Sequence, residues 1–312
     1  MDGEPMSKRI TIEGVAGQRL DRLVAEALPG TSRRQAKRWI DGRRVWVNGR
    51  VEIMASRVLR GGERVEVEPE APPEPAEPPE IPVVWEDDRL LAVNKPPGIP
   101  SGPTRDPRRN HVEGVLAARR GSPLVLVHRL DLDTTGALLL AKTPEAGAGL
   151  ARLFRERRVE KTYLALVEGE PPGRFHVISH LREGQGRVHV VRAGGLRAET
   201  RFETLARGSG VALVAARPRT GRMHQIRVHL AREGFPILGD PVYGGPSRVG
   251  DLTVHRQMLH ALALRFPHPA TGEPLRIVAP PPEDFRAAAR RLLGPAAWRR
   301  ALARALGEPG PG

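Results

Sequence analysis

The chain has 312 residues, enough for one large core plus a small accessory domain. Lys and Arg outnumber Asp and Glu by 50 to 36, a net charge of +14, which favours nucleic acid or another anionic partner over a merely basic exterior. With no Cys, disulfides, thiolate metal sites and a Cys nucleophile are excluded; no apolar stretch is long enough to span a bilayer, and Met1 to Ile12 does not resemble a signal peptide, so a cytoplasmic protein is expected.

The first elements form a small basic unit. Leu20, Leu23, Val24 and Leu28 recur at helical spacing, and Pro29-Gly30 stops that helix. Thr31 or Ser32 caps a second helix through Asp41, ended by Gly42. On it Arg33, Arg34, Lys37 and Arg38 share a broad face, while Ala36, Trp39 and Ile40 turn inward. That face is either simply solvated or a row of cations for a phosphate backbone. Val45, Val47 and Val51 alternate around Asn48-Gly49, a hairpin signal, and Gly61-Gly62 leads into Val65 and Val67. A compact α/β unit over residues 8–68 is expected, then a Pro/Glu-rich extended linker over 69–82.

The remainder, residues 83–294, alternates mostly between short strands. Candidates are Val83–Trp85, Leu90–Asn94, Leu124–Val127, Ala137–Ala141, Thr162–Val167, Val188–Val191, Ala198–Leu205, Val211–Ala216 and Leu275–Val278. Helices fit Glu145–Arg155, His224–Glu233 and Glu283–Leu293. Few strand pairs are joined by a helix, so the fold class is α+β with a largely antiparallel mixed sheet rather than a doubly wound parallel one. Residues 295–312 read as a basic, alanine-rich tail with Trp298 and Leu302 on a helix that either extends an RNA surface or covers the core; order weakens from Gly307 to Gly312.

Several chemistries find no support. There is no Gly-x-Gly-x-x-Gly opening a helix, no loop ending in Gly-Lys-Ser/Thr, and no His-x-Glu with a Cys pair. His224 and His229 lie five apart with no acid between them, a poor match to metalloprotease spacing, so no metal is expected.

Three segments stand out. In His128-Arg129-Leu130-Asp131-Leu132-Asp133-Thr134-Thr135-Gly136 a carboxylate and a guanidinium lie two residues apart at the mouth of an apolar run. Asp133 would share a side with Asp131 in extended chain, yet it reads better as the cap of a turn at Thr134-Thr135-Gly136 than as half of a paired-carboxylate hydrolase. Strand alternation puts Lys161, Tyr163 and Ala165 on one face, where Tyr163 is either a half-buried sheet aromatic or a functional ring. On a helix, His224, Arg227 and Val228 share a side with Gln225 and His229 beside it, an odd pattern for a solvated face.

These segments resemble the RluA-type pseudouridine synthases, which isomerise uridines in ribosomal and transfer RNA. The resemblance runs over roughly residues 83–285 through His128-Arg129-Leu130-Asp131, Lys161-x-Tyr163-x-Ala165 and Gly221-Arg222-x-His224-Gln225-Ile226-Arg227-Val228-His229. It continues through Pro236-Ile237-x-Gly239-Asp240, Tyr243-Gly244, Leu259-His260-Ala261 and His268-Pro269-x-Thr271-Gly272-Glu273. Residues 17–68, with Arg19-Leu20-Asp21, Ser32-Arg33 and Val45-Trp46-Val47-Asn48-Gly49, resemble the RNA-binding domain named after ribosomal protein S-four, which the RluC-like and RluD-like large-subunit enzymes also carry. Thr135 stands where Ser is usual and keeps the hydroxyl.

The resemblance implies Asp131 as the catalytic carboxylate, acting as nucleophile or as base, with Arg227 as the cation that keeps it ionised. It implies that Tyr163 stacks on the detached uracil and offers a hydroxyl for the last proton, with Ile226 packing on the ring. Arg129, Lys161 and Arg222 are expected to contact RNA or brace the site, and Arg33, Arg34, Lys37 and Arg38 to bind it from the first unit. The isomerisation moves only protons besides the uracil, so no cofactor is expected. The partner is large-subunit ribosomal RNA and the protein a monomer; the alternatives are the same chemistry on transfer RNA, or a noncatalytic ribosome-assembly factor.

Overall fold

The computed structural model describes residues 9–69, 78–104, 109–184 and 186–308. Most of the expected linker (residues 70–77), the first residue of the expected small unit and residues 309–312 of the expected tail lie outside the described residues. The chain divides into two units, Met1–Ala76 and Glu77–Gly312.

In the first unit, β1 (Ile10–Glu13) precedes helices α1 (Leu20–Ala27) and α2 (Arg33–Asp41), then β2 (Val45–Val47), β3 (Arg50–Val51) and β4 (Arg64–Val67). The strands form one antiparallel sheet in the order β1-β4-β2-β3. Ser32 caps α2, its Oγ accepting from the Gln35 N–H at 3.2 Å. Asn48 and Gly49 both have positive φ (50° and 78°), the backbone a two-residue hairpin needs. Leu20, Val24, Ile40, Val45 and Val65 fill the core under the sheet. Arg33, Arg34, Lys37 and Arg38 are all exposed; Arg33 also reaches Asp21 (3.1 Å) and Lys37 reaches Asp41 (2.6 Å). Strand β1, an edge of only four residues, was not expected from the sequence.

The second unit begins with β5 (Val83–Glu86), β6 (Leu90–Lys95), α3 (Val112–Arg120), β7 (Val125–Leu126), β8 (Thr135–Ala141) and α4 (Pro144–Arg155). It continues with β9 (Glu160–Glu168), β10 (Arg174–Gly184), β11 (Arg187–Val191), β12 (Leu196–Gly208), β13 (Val211–Pro218) and α5 (Gln225–Arg232). A small hairpin, β14 (Arg248–Val249) with β15 (Leu252–Thr253), leads to β16 (Leu259–Pro267), β17 (Pro274–Val278), α6 (Glu283–Leu293) and α7 (Pro295–Leu306). One 11-stranded sheet runs β11-β10-β12-β13-β9-β16-β8-β6-β5, with β17 on β16 and β7 on β8. Every pairing in it is antiparallel except β16 with β8. The α+β class and largely antiparallel mixed sheet match the expectation.

The lone parallel pairing carries a close approach. Gly136 has φ 113°, and a Cβ there would stand 2.2 Å from the Ala261 carbonyl oxygen, so only glycine lets β16 lie against β8 at this point. The expected turn at Thr134-Thr135-Gly136 is therefore corrected: the turn spans Asp131–Thr134, with the Thr134 N–H donating to the Asp131 carbonyl at 3.1 Å, and Thr135 already pairs in β8.

Three further expectations shift. The end of the assigned linker belongs to this unit, since Ile81 is buried in its core and the Asn94 N–H donates to the Pro82 carbonyl (2.8 Å). The assigned tail is mostly α7: Gly294 at φ 87° breaks α6, Pro295 starts a new helix, and Trp298, Ala301 and Ala305 pack into the main core. Strands β10 and β16 and helix α3 were not anticipated. Leu259-His260-Ala261-Leu262-Ala263-Leu264 is composed of helix formers, and neighbours β9 and β8 impose extension on it.

Candidate active site

A cleft opens where the turn before β8, the start of β9 and the connection from β13 to α5 converge. Asp131, Lys161, Tyr163, His224, Ile226 and Arg227 line it, with Arg129 and Arg222 exposed at its rim. The sequence separates these groups by almost a hundred residues, and the sheet brings them together.

The turn that carries Asp131 is held from several sides. Lys95, with no exposed surface, donates from Nζ to the carbonyls of Pro96, Ile99 and Leu132, each at 2.8 Å. Burial pushes the Lys95 ammonium down to about 7, against the pull of Asp133 and Asp131. Ser101 Oγ donates to the Leu130 carbonyl and accepts from the Leu130 N–H. Gln257 Nε2 donates to Thr134 Oγ1 (2.7 Å), and Arg256 to the Asp133 carbonyl (3.1 Å). So fixed, the turn leaves the Asp131 side chain about a quarter exposed in the cleft, while Asp133 is not among the cleft's lining residues.

Arg227 meets Asp131 as expected, Nη1 donating to Oδ2 at 3.1 Å. Its other nitrogens are taken by Asp240, which lies in a segment that carries the resemblance but had no role expected of it: Nε donates to Oδ2 (2.7 Å) and Nη2 to Oδ1 (2.8 Å). Asp240 is fully buried and also accepts from the N–H groups of Val242 and Tyr243. Burial works against the Arg227 charge, but the bonds to Asp240 and Asp131 outweigh it and hold its pKa above the ordinary value. One guanidinium thus bridges a buried carboxylate and an accessible one.

Helix α5, which delivers Arg227 and Ile226, is anchored by polar side chains on its own first turns. Gln225 donates to the Glu199 carbonyl (3.0 Å) and to Thr200 (2.9 Å) and accepts from Thr220 (2.7 Å). His229 bonds Thr200 and Ser179, and burial pushes it down to about 4. Both are braces in the core and explain the polar pattern around Ile226. The helix is one residue shorter than expected at its start: His224 precedes it in the left-handed region (φ 52°), so His224 does not share a helix face with Arg227 and Val228.

Tyr163 and Lys161 both face the cleft from β9. Tyr163 lies opposite Ala216 on one side and Ala261 on the other, small neighbours that leave its ring room. Its hydroxyl is pushed well up, by burial first and the Asp131 charge second. Lys161 Nζ donates to the Thr220 carbonyl (3.2 Å), and burial lowers its ammonium to about 8. His128, by contrast, is structural: it stacks on Phe154 at 4.8 Å and accepts from the Leu139 N–H. Among the described residues no group of His, Asp or Glu is placed to hold a metal ion, and no helix is long and apolar enough to cross a membrane.

Comparison with known proteins places the chain among relatives. The RNA pseudouridylate synthase family matches residues 89–232, and the S4 domain matches residues 18–65. The chain is 35% identical to "Ribosomal large subunit pseudouridine synthase D" of Pasteurella multocida, covering 86% of this chain and 89% of that one. It is 34% identical to the protein of the same name from Escherichia coli, covering 88% and 90%. Among solved structures, "Human RNA Pseudouridylate Synthase Domain Containing 4" superposes with TM-score 0.56 at 28% identity, over 68% of this chain and 92% of that one.

Proposed function

This chain belongs to the RNA pseudouridylate synthase family, and from that premise we propose that it isomerises specific uridines of large-subunit ribosomal RNA with Asp131 as its catalytic carboxylate. The reaction breaks the bond between the sugar and N1 of uracil, turns the base, and rejoins it through carbon 5. The observation that carries the assignment is the Asp131 carboxylate at the cleft, held through one oxygen by a buried Arg227 that is itself anchored on Asp240. Asp131 then has its other oxygen for the sugar, either as nucleophile at the anomeric carbon or as base towards the neighbouring hydrogen.

Tyr163 and Ile226 form the apolar faces between which the detached uracil is kept. Arg129 and Arg222 at the rim, with Lys161 deeper, are placed for the phosphates beside a flipped nucleotide. The exposed Arg33, Arg34, Lys37 and Arg38 give the first unit a cationic face for structured RNA. The names of the relatives favour ribosomal over transfer RNA as substrate. On this reading the protein works as a monomer in the cytoplasm.

The test is pseudouridine formation on large-subunit RNA by wild type and by Asp131→Asn. Wild type should convert discrete uridines, and Asp131→Asn should lose conversion while keeping RNA affinity. If wild type binds the RNA tightly and converts nothing, the chain is a binding factor and the assignment is wrong.

A further inference from the structure

Drawing a uridine out of its stack leaves the neighbouring base with one face uncovered, and an enzyme that also holds that base recovers part of the cost. A second depression lies beside the cleft, and the inference about it rests on the reading above. Arg222 lines both, so the two share a wall. They also open on the same face of the sheet. Tyr163 pairs with Ala216 and Ala216 with Phe202, while Leu196 lies an even number of residues before Phe202 on β12 and so points the same way.

The depression encloses about 230 Å³, against about 90 Å³ for the cleft, so it has room for a base if the cleft has. Strand register builds its floor. Leu181 pairs with Leu196 across β10 and β12, and Glu183 with Val188 across β10 and β11, so all four side chains stand on one face. Leu181 and Val188 are buried, but Leu196 is 58% exposed and Met223, which follows Arg222, is 37% exposed. Two large apolar side chains thus stand uncovered beside the cleft. The exposed Arg182 and Arg222 line the same depression. Apolar surface framed by guanidinium groups suits a nucleotide, whose base packs on side chains and guanidinium planes while its phosphate meets a cation. Glu183 runs against that charge. Its carboxylate lines the depression and forms no hydrogen bond or ion pair among the described residues. An acid there repels phosphate, and what it can accept from is the amino group on the edge of a base.

We propose that this depression holds the base next to the target uridine. That base carries an amino group (adenine, guanine or cytosine), packs on Leu196 and Met223, and donates to Glu183. Arg222, on the shared wall, meets the phosphate between the two nucleotides. The enzyme thereby reads sequence at a position where no chemistry occurs.

The test uses a large-subunit RNA fragment containing the modified uridine, with an abasic residue placed at each flanking position in turn. Single-turnover rates and affinities are compared for wild type and for the double variant Leu196→Ala with Met223→Ala, whose changes fall on exposed side chains. For wild type one abasic position should cost about 5- to 150-fold. The double variant should lose a similar factor on the intact fragment and little more on the abasic one. Losses that simply multiply at every position overturn the proposal. At the sensitive position uracil should serve wild type at least about 5-fold worse than a base with an amino group, and Glu183→Ala should erase that difference. Uracil serving equally well, or a preference that survives Glu183→Ala, overturns the assignment of the base. A wild type that converts nothing contradicts the underlying reading instead, and the affinities then decide whether the depression holds a base.

Discussion

Arg227 serves two carboxylates with one guanidinium, and the division is unequal: Asp240 takes two of its hydrogen bonds and Asp131 one. The buried partner therefore orients the arginine, and the accessible one is free to change charge during the reaction without releasing it. Asp240→Asn should leave Arg227 buried beside an amide, and breaking such a pair costs about 3–5 kcal/mol. Urea unfolding should show that loss, and turnover should fall as Arg227 loses its orientation. A variant as stable and as active as wild type would remove Asp240 from the site. The Asp131–Arg227 pair spans 96 residues, and no spacing rule predicts it; only the resemblance put the two together. The left-handed backbone of His224 was hidden for a different reason: helical periodicity runs through the residue, although the helix begins only at Gln225. Asp240 lies in a segment that carries the resemblance, but nothing in its sequence setting before Pro241 predicts its pairing with Arg227.

At the scale of elements, the apolar runs that became β6, β8, β9 and β13 could be read directly, since strands buried on both faces are nearly continuous in Val, Leu and Ala. Strand β16 could not: its Leu-Ala repeat favours a helix until β8 and β9 flank it. Its contact with β8 depends on Gly136, one strand residue away from the turn that presents Asp131. Gly136→Ala combines a strained positive φ with a backbone clash, so a destabilisation of about 2–5 kcal/mol is expected. Activity should fall further than the folded fraction does, because the turn shifts with the strand. Thermal unfolding beside single-turnover rates checks this, and an alanine variant with wild-type melting and rate would show that the two strands are free to separate there. The C-terminal segment teaches the converse lesson: its basic composition suggested a tail, while the spacing of Trp298, Ala301 and Ala305 carries the packing.

For the whole molecule, three histidines whose pKa is depressed shape the acid limit: His229 and His260, which are buried, and His128, which is half-buried. Burial is the largest influence on each, pushing His128 to about 3 and His229 and His260 to about 4 from an ordinary 6.5. Above about pH 6.5 all three are neutral in folded and unfolded chain alike, and their contribution to stability is fully present. Below it the unfolded chain binds protons that the folded one refuses, so stability falls as pH drops towards 4. Each histidine contributes up to about 1.4 kcal/mol per pH unit, so the three together contribute up to about 4 kcal/mol per pH unit. Urea midpoints measured from pH 7 to pH 4 should decline steeply, and a flat series would mean that these rings are protonated without cost.

The single parallel pairing has a consequence in time as well as in space. Asp131 precedes β8 and Tyr163 lies on β9, yet these strands are not neighbours: β16 separates them, and Thr135 waits for His260, its hydrogen-bond partner 125 residues later. Contacts of that sequence separation form late and slowly. A chain emerging from the ribosome therefore carries both groups long before it can assemble them, and it becomes an enzyme only when almost all of it has been made.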